Sequence, residues 1–240
     1  MPTYAALTWD ATGEREYSMG VSQGVLYLQK NTDSNQKPYN AGVAWNGLIS
    51  VTENPEGAEA TDLWADDIKY ATLRSAETFG ATIEAYTYPD EFASCDGSAE
   101  PLTGVRFGQQ NRDVFGLCYK TKVGSDSDAS ASNRYKLHLI YGATAAPSEK
   151  AYQTINDSPD AITFSWEIQT TPVNATGINN VDYKPVSSIV IDSALVNAAK
   201  LTALENILYG TNGSGNTAGT EPRLPLPDEV VDTLTPPSNG

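Results

Sequence analysis

One histidine, two cysteines, two methionines and fifteen lysines and arginines are all that this 240-residue chain has of those residue types. Each shortage closes a route. A catalytic triad would have to use His138, and no Gly-x-Ser-x-Gly elbow accompanies it. His138 lies opposite Leu137 and Leu139 in an alternating segment, with no Cys, Asp or Glu at ligand spacing, so it is expected at a surface or interface. Cys95 and Cys118 are too few for a disulfide scaffold and are expected as reduced thiols, with Cys118 buried in an apolar strand. Thirty acids outweigh the fifteen bases, giving a net charge of −15 and a pI near 4.3. Unaided binding to nucleic acid or an anionic membrane needs the opposite balance. No apolar run approaches the length of a membrane span, and Met1 to Ala5 lacks the basic and apolar regions of a secretory signal. A soluble protein is expected.

Metal and phosphate motifs are missing too. Asp126-Ser127-Asp128 resembles the start of a calcium loop, but Ala131 stands where the turn needs glycine and Leu137 where it needs a bidentate acid. Gly210, Gly213, Gly215 and Gly219 have no Gly-Lys-Ser/Thr and do not follow a strand. We therefore expect no catalytic residue, cofactor or metal, and no enzyme.

Nineteen glycines, fourteen prolines and short alternating segments indicate a mainly β chain. Its organising stretch is Ala41 to Tyr88, read as three extended segments with a turn at Asn54-Pro55-Glu56-Gly57. Phe79, Ala81, Ile83 and Ala85 alternate with Gly80, Thr82, Glu84 and Tyr86. Asp66 and Asp67 are adjacent, which on a strand would point them to opposite faces. Twelve acids between Pro38 and Val105 face only Lys69 and Arg74, concentrating −10 of the charge there, whereas Arg106 to Lys136 is mildly basic. Two readings of the acids stay open: a solvated face, or a surface that repels a polyanion.

Elsewhere, strands are expected at Thr3 to Asp10, Glu14 to Ser18, Gly24 to Leu28, Gly104 to Phe107, Asp113 to Val123, Arg134 to Tyr141, Ala161 to Thr171 and Val186 to Ile191. Lys30 to Asn40 reads as a long polar loop, either a hairpin tip or an arm that orders against a neighbour. Pro89 to Gly97 reads as one or two helical turns, and Gly124 to Asn133 as a hairpin loop. One helix is expected over about 198–209, with Asn197 as N-cap and Gly210 as stop. These elements make residues 1–210 a β domain; 211–240 form a linker and C-terminal arm, with Arg223 to Val230 extended and apolar enough to dock.

The phrase Tyr70 to Phe92 carries a resemblance, joined by Phe107-Gly108-Gln109-Gln110, Leu139-Ile140-Tyr141-Gly142, Leu204 to Gly210 and Leu224 to Val230. Together they resemble the major tail proteins of long-tailed bacteriophages of Gram-positive hosts, over most of the chain to about Leu234. The resemblance implies a β-sandwich or barrel of the tail-tube type with one flanking helix. Six copies would close a ring, their strands joining one large β-barrel, and rings would stack into a tube in the virion tail. The partners it implies are other copies of the chain, a tape-measure protein, tail terminator or baseplate proteins, and double-stranded DNA passing through the lumen without tight binding. Inter-ring contacts would come from the long loop and the C-terminal arm: Lys30, Asp33, Lys37, Tyr39, Arg223, Leu224 and Leu226.

Duplex sliding through such a tube requires a wall without cations that hold phosphate. Glu53, Glu84 and Glu167, each taken to lie on the polar face of an alternating strand, are the expected lumen-lining residues. Two alternatives stand beside this. One is a carbohydrate-binding β-sandwich using Trp9, Trp45, Trp64 or Trp166 as a platform. The other is a glycoside hydrolase pairing Glu84 with Glu167.

Overall fold

The computed structural model describes residues 6–29, 38–57, 59–126, 134–154, 161–176, 181, 183–215 and 218–235. The chain is mainly β and consistent with a β-sandwich. In order, the strands are β1 (Glu16–Leu28), β2 (Val43–Trp45), β3 (Leu48–Glu53), β4 (Glu56–Gly57), β5 (Ala60–Ala65), β6 (Ile68–Arg74), β7 (Glu77–Thr78), β8 (Gly80–Ala85), β9 (Ala99–Leu102), β10 (Val105–Phe107), β11 (Phe115–Ser125), β12 (Tyr135–Ala145), β13 (Phe164–Thr170) and β14 (Ser188–Asp192). Two helices follow, α1 (Ala198–Tyr209) and α2 (Pro227–Leu234), and a 3-10 turn at Asp90–Ala93 sits within the acidic insert after β8.

Eight strands form one antiparallel sheet in the order β2-β1-β11-β12-β13-β8-β3, with β14 also beside β12. The long strand β12 makes this possible by serving two neighbours on one edge. Lys136 to Ile140 pair with β14, and Ala143 to Ala145 pair with β13. Gly142 stands at the changeover with φ +59°, and its N–H donates to the Tyr39 hydroxyl at 3.0 Å. A Cβ there would lie 2.2 Å from the Thr171 carbonyl oxygen, so only glycine fits.

Both faces of the central strands are buried. One face of β1, β11 and β12 meets β8 and β13 across a cluster that includes Leu26, Ile83, Phe92, Phe115, Leu117, Ile140 and Trp166. Rings from Trp45, Tyr88, Phe92 and Trp166 pack edge-on or tilted within it at 4.7–6.0 Å. The other face carries Tyr27, Leu137, Leu139 and Tyr141 and is covered by Leu201, Leu204 and Leu208 of α1 with Leu224 and Val230. Each of those three α1 leucines is nearly fully buried and contributes about 1.5–3 kcal/mol. Asn197 caps α1 by accepting from Ala199 and Lys200 N–H groups, and Gly210 ends it at φ +73°.

Several expectations change. The described residues hold two flanking helices where one was expected, because Pro227 opens α2 instead of continuing an extended segment; its fixed φ suits the first helical turn and Asp228 and Glu229 suit the N-terminal dipole. The segments expected at Glu14 to Ser18 and Gly24 to Leu28 merge into one bulged strand, Glu16–Leu28, which leaves out Glu14 and Arg15, and Ala6 to Asp10 is not strand. Within the segment after Gly210, Leu224 and Val230 dock into the core of the same chain.

Candidate functional site

Between β3 and β8 the chain leaves the main sheet as a long two-stranded arm. β4 pairs with β7 at its root, and β5 pairs with β6 beyond. Asp66 and Asp67 form its two-residue tip with φ +50° and +60°, the left-handed pair that a hairpin of matching twist demands. They therefore make a turn, correcting the expectation that they lie in a strand. Every residue of β5 is exposed, and only Ala71 of β6 is half-buried. Exposed apolar side chains occupy both faces: the pairing puts Leu63, Leu73 and Ile68 on one and Trp64 on the other, with Tyr70 the extra residue at the bulge. A lone two-stranded ribbon is at best marginally stable in water. The arm carries its own clue in sequence, an Asp-Asp turn between two short strand-forming runs. Without an apolar-in, polar-out alternation, its protrusion was not legible.

A second exposed ribbon, β9 with β10, presents Leu102, Val105 and Phe107 beside the 3-10 turn. A groove of about 510 Å³ runs beneath it, lined in part by Asp90, Glu91, Glu100 and Asp113. Arg106 pairs with Asp90 at 2.6 Å, and Glu100 accepts from the Gly104 N–H at 2.7 Å.

The three expected lumen acids do not share a face. In the register of β3, β8 and β13, Ser50 stands opposite Glu84, Glu84 opposite Ser165 and Thr82 opposite Glu167. Glu84 and Glu167 therefore lie on the sheet's outer face, away from Ile83 and Trp166; Glu84 accepts from Ser50 at 2.8 Å. Glu53 stands opposite Ala81, which is buried on the inner face. That placement corrects its assignment to the outer polar face. A cleft of about 320 Å³ at the arm's root takes in Asn54, Glu56, Phe79, Glu167 and Gln169, and Glu84 does not line it.

At the edge of the inner face, Glu53 closes a small polar node. Tyr119 donates its hydroxyl hydrogen to Glu53 Oε1 at 2.9 Å, and His138 Nδ1 lies 3.4 Å from the same oxygen. His138 stacks on Tyr119 at 4.6 Å and 8°, and its Nε2 is 3.0 Å from Thr121 Oγ1. Burial and the Glu53 carboxylate push the Tyr119 phenol up, so its proton stays available to donate. His138 was expected at a surface or interface; only 14% of its side chain is exposed, with Tyr119 stacked on the ring and Glu53 and Thr121 against its two nitrogens. Burial holds its imidazole below the usual range, against the raising effect of Glu53.

Of the expected inter-ring residues, Lys30, Asp33 and Lys37 lie outside the described residues. Tyr39 and Leu224 are 4% and 2% exposed, buried in their own chain's core, so as placed they offer no contact surface. Leu226 is half-buried, and Arg223 pairs with Glu229 through both guanidinium nitrogens. Trp45 and Trp166 are core residues and cannot serve as sugar platforms, whereas Trp9 and Trp64 are 77% and 68% exposed. Both cysteines are buried thiols among packed side chains. Among the described residues no cluster of three or more His, Cys, Asp or Glu could hold a metal ion, and no helix is long and apolar enough to cross a membrane.

No family model matches the chain. No curated protein matches it either.

Proposed function

We propose that this protein is a self-assembling structural subunit, without enzymatic activity, that forms the stacked rings of a bacteriophage tail tube in the virion. The observation that carries this reading is the arm. Some fifteen residues of antiparallel ribbon project from the sheet with apolar side chains on both faces. Such a ribbon gains most by lying between two covering surfaces, and identical neighbours in a ring and in the next ring would supply them. The main sheet adds support, since β2 and β3 end its strand order and each leaves an edge that a neighbour could pair.

In this reading the outer face bearing Glu84 and Glu167 lines the lumen and repels DNA, while the tape-measure protein occupies the bore before ejection. Glu53 has no place in that wall. The reading predicts rings or tubes in negative-stain images of concentrated protein. It also predicts that joining Gly57 to Glu77 through Asn-Gly, which removes the ribbon beyond its root, leaves a folded monomer by circular dichroism and light scattering. Wild-type protein that stays strictly monomeric at every concentration, or an arm-deleted variant that assembles as readily as wild type, would overturn it.

A further inference from the structure

The Glu53–His138 node sits where the arm leaves the sheet: Glu53 is the last residue of β3, and the next N–H, that of Asn54, donates to the Gly80 carbonyl at 2.8 Å. His138 Nδ1 is buried and has no hydrogen-bond partner, although a carboxylate oxygen faces it at 3.4 Å. At that spacing no well-formed bond joins the two, and a neutral ring with its proton on Nε2, donating to Thr121 Oγ1, is consistent with it. Nδ1 then presents a lone pair to an acceptor, and the two cannot bond.

We propose that His138 and Glu53 form an acid-operated latch at the root of the arm. With the ring neutral, Tyr119 is the described side chain that holds the Glu53 carboxylate. With a proton taken from solvent onto Nδ1, the ring donates to Glu53 and ties the end of β3 to β12, while Nε2 keeps Thr121. The charged groups around the ring suit this assignment. Glu53 approaches from β3, Tyr119 stacks from β11, and Lys136 lies two residues away on β12. Asp192 of β14 stands opposite Lys136 and is paired with Arg134 at 3.6 Å, and the β14 residue opposite His138 is the apolar Val190. Glu53 is thus the carboxylate placed to receive the Nδ1 proton. The latch is a property of the single chain and does not rest on assembly.

Because His138 is the chain's sole histidine, its imidazole signals are unambiguous. Two-dimensional ¹⁵N–¹H spectra of the full chain, titrated from pH 8 to pH 4.5, should show the Nε2–H tautomer at the alkaline end and a protonated ring below. In Glu53→Gln the midpoint should move to lower pH, since the attracting charge is gone. Hydrogen exchange at Asn54, corrected for intrinsic rates, should slow on acidification in wild type and not in Glu53→Gln. A ring already carrying its proton on Nδ1 at pH 8, or identical midpoints in the two proteins, would overturn the pairing. Asn54 exchange with the same pH response in both would overturn the latch. Circular dichroism of Glu53→Gln confirms that the comparison is between folded proteins.

Discussion

The Tyr27 hydroxyl donates to the Leu208 carbonyl at 2.7 Å, joining the middle of the sheet to the last turn of α1. Helices leave their final carbonyls without intrahelical partners, and a buried one must find another donor. Tyr27 supplies it for Leu208, and the backbone N–H of Arg223 does so for Ile207 at 2.9 Å. The same contacts that satisfy the helix end also fix α1 and the C-terminal segment to the sheet.

Tyr27→Phe keeps the ring and removes the donor, leaving a buried carbonyl unpaired. The expected cost is about 1–3 kcal/mol. Urea denaturation should show a lower midpoint at unchanged slope, which separates lost stability from a change in the unfolded chain.

Gly142→Ala places a methyl against the Thr171 carbonyl at a backbone angle that alanine avoids. Unlike a surface substitution, it should cost more than about 2 kcal/mol. The damage should appear in amide exchange first at Ala143 to Ala145 and their β13 partners, because those pairings depend on the changeover.

Burial pushes the thiols of Cys95 and Cys118 up to about 12. At pH 8 both remain protonated and shielded, so neither should react with iodoacetamide in the folded protein. Both should alkylate at once in denaturant, as peptide mass spectrometry would read. Fast labelling of either site in native buffer would contradict the packing.

Stability should also carry the signature of His138. In the unfolded chain the ring takes a proton near its ordinary 6.5; in the folded protein, burial delays this to lower pH. As pH falls from 6.5 the unfolded state therefore binds more protons, and the stability present above that value is progressively lost. His138→Gln retains a polar group near Thr121 and does not titrate. Denaturation midpoints measured from pH 7.5 downward should fall more steeply in wild type than in the variant, before the carboxylates begin to protonate.

Local chemistry alone determined much of this protein. The alternation of Ala81, Ile83 and Ala85, and of Trp166 with Ile168, placed β8 and β13 with their buried faces because a period of two leaves a half-covered strand little choice. Asn197, the leucine spacing and Gly210 gave α1 its limits, since caps and stops act within a few residues. Tertiary structure decided what depends on distant partners. Glu53 left the polar face because its pairing with Ala81 sets its side, and His138 lost most of its exposure because Tyr119 stacks on its ring while Glu53 and Thr121 face its nitrogens. Tyr39 and Leu224 turned inward against the sheet, and the arm emerged as a ribbon exposed on both sides. Periodicity cannot register a surface that neither face of a strand covers within its own chain.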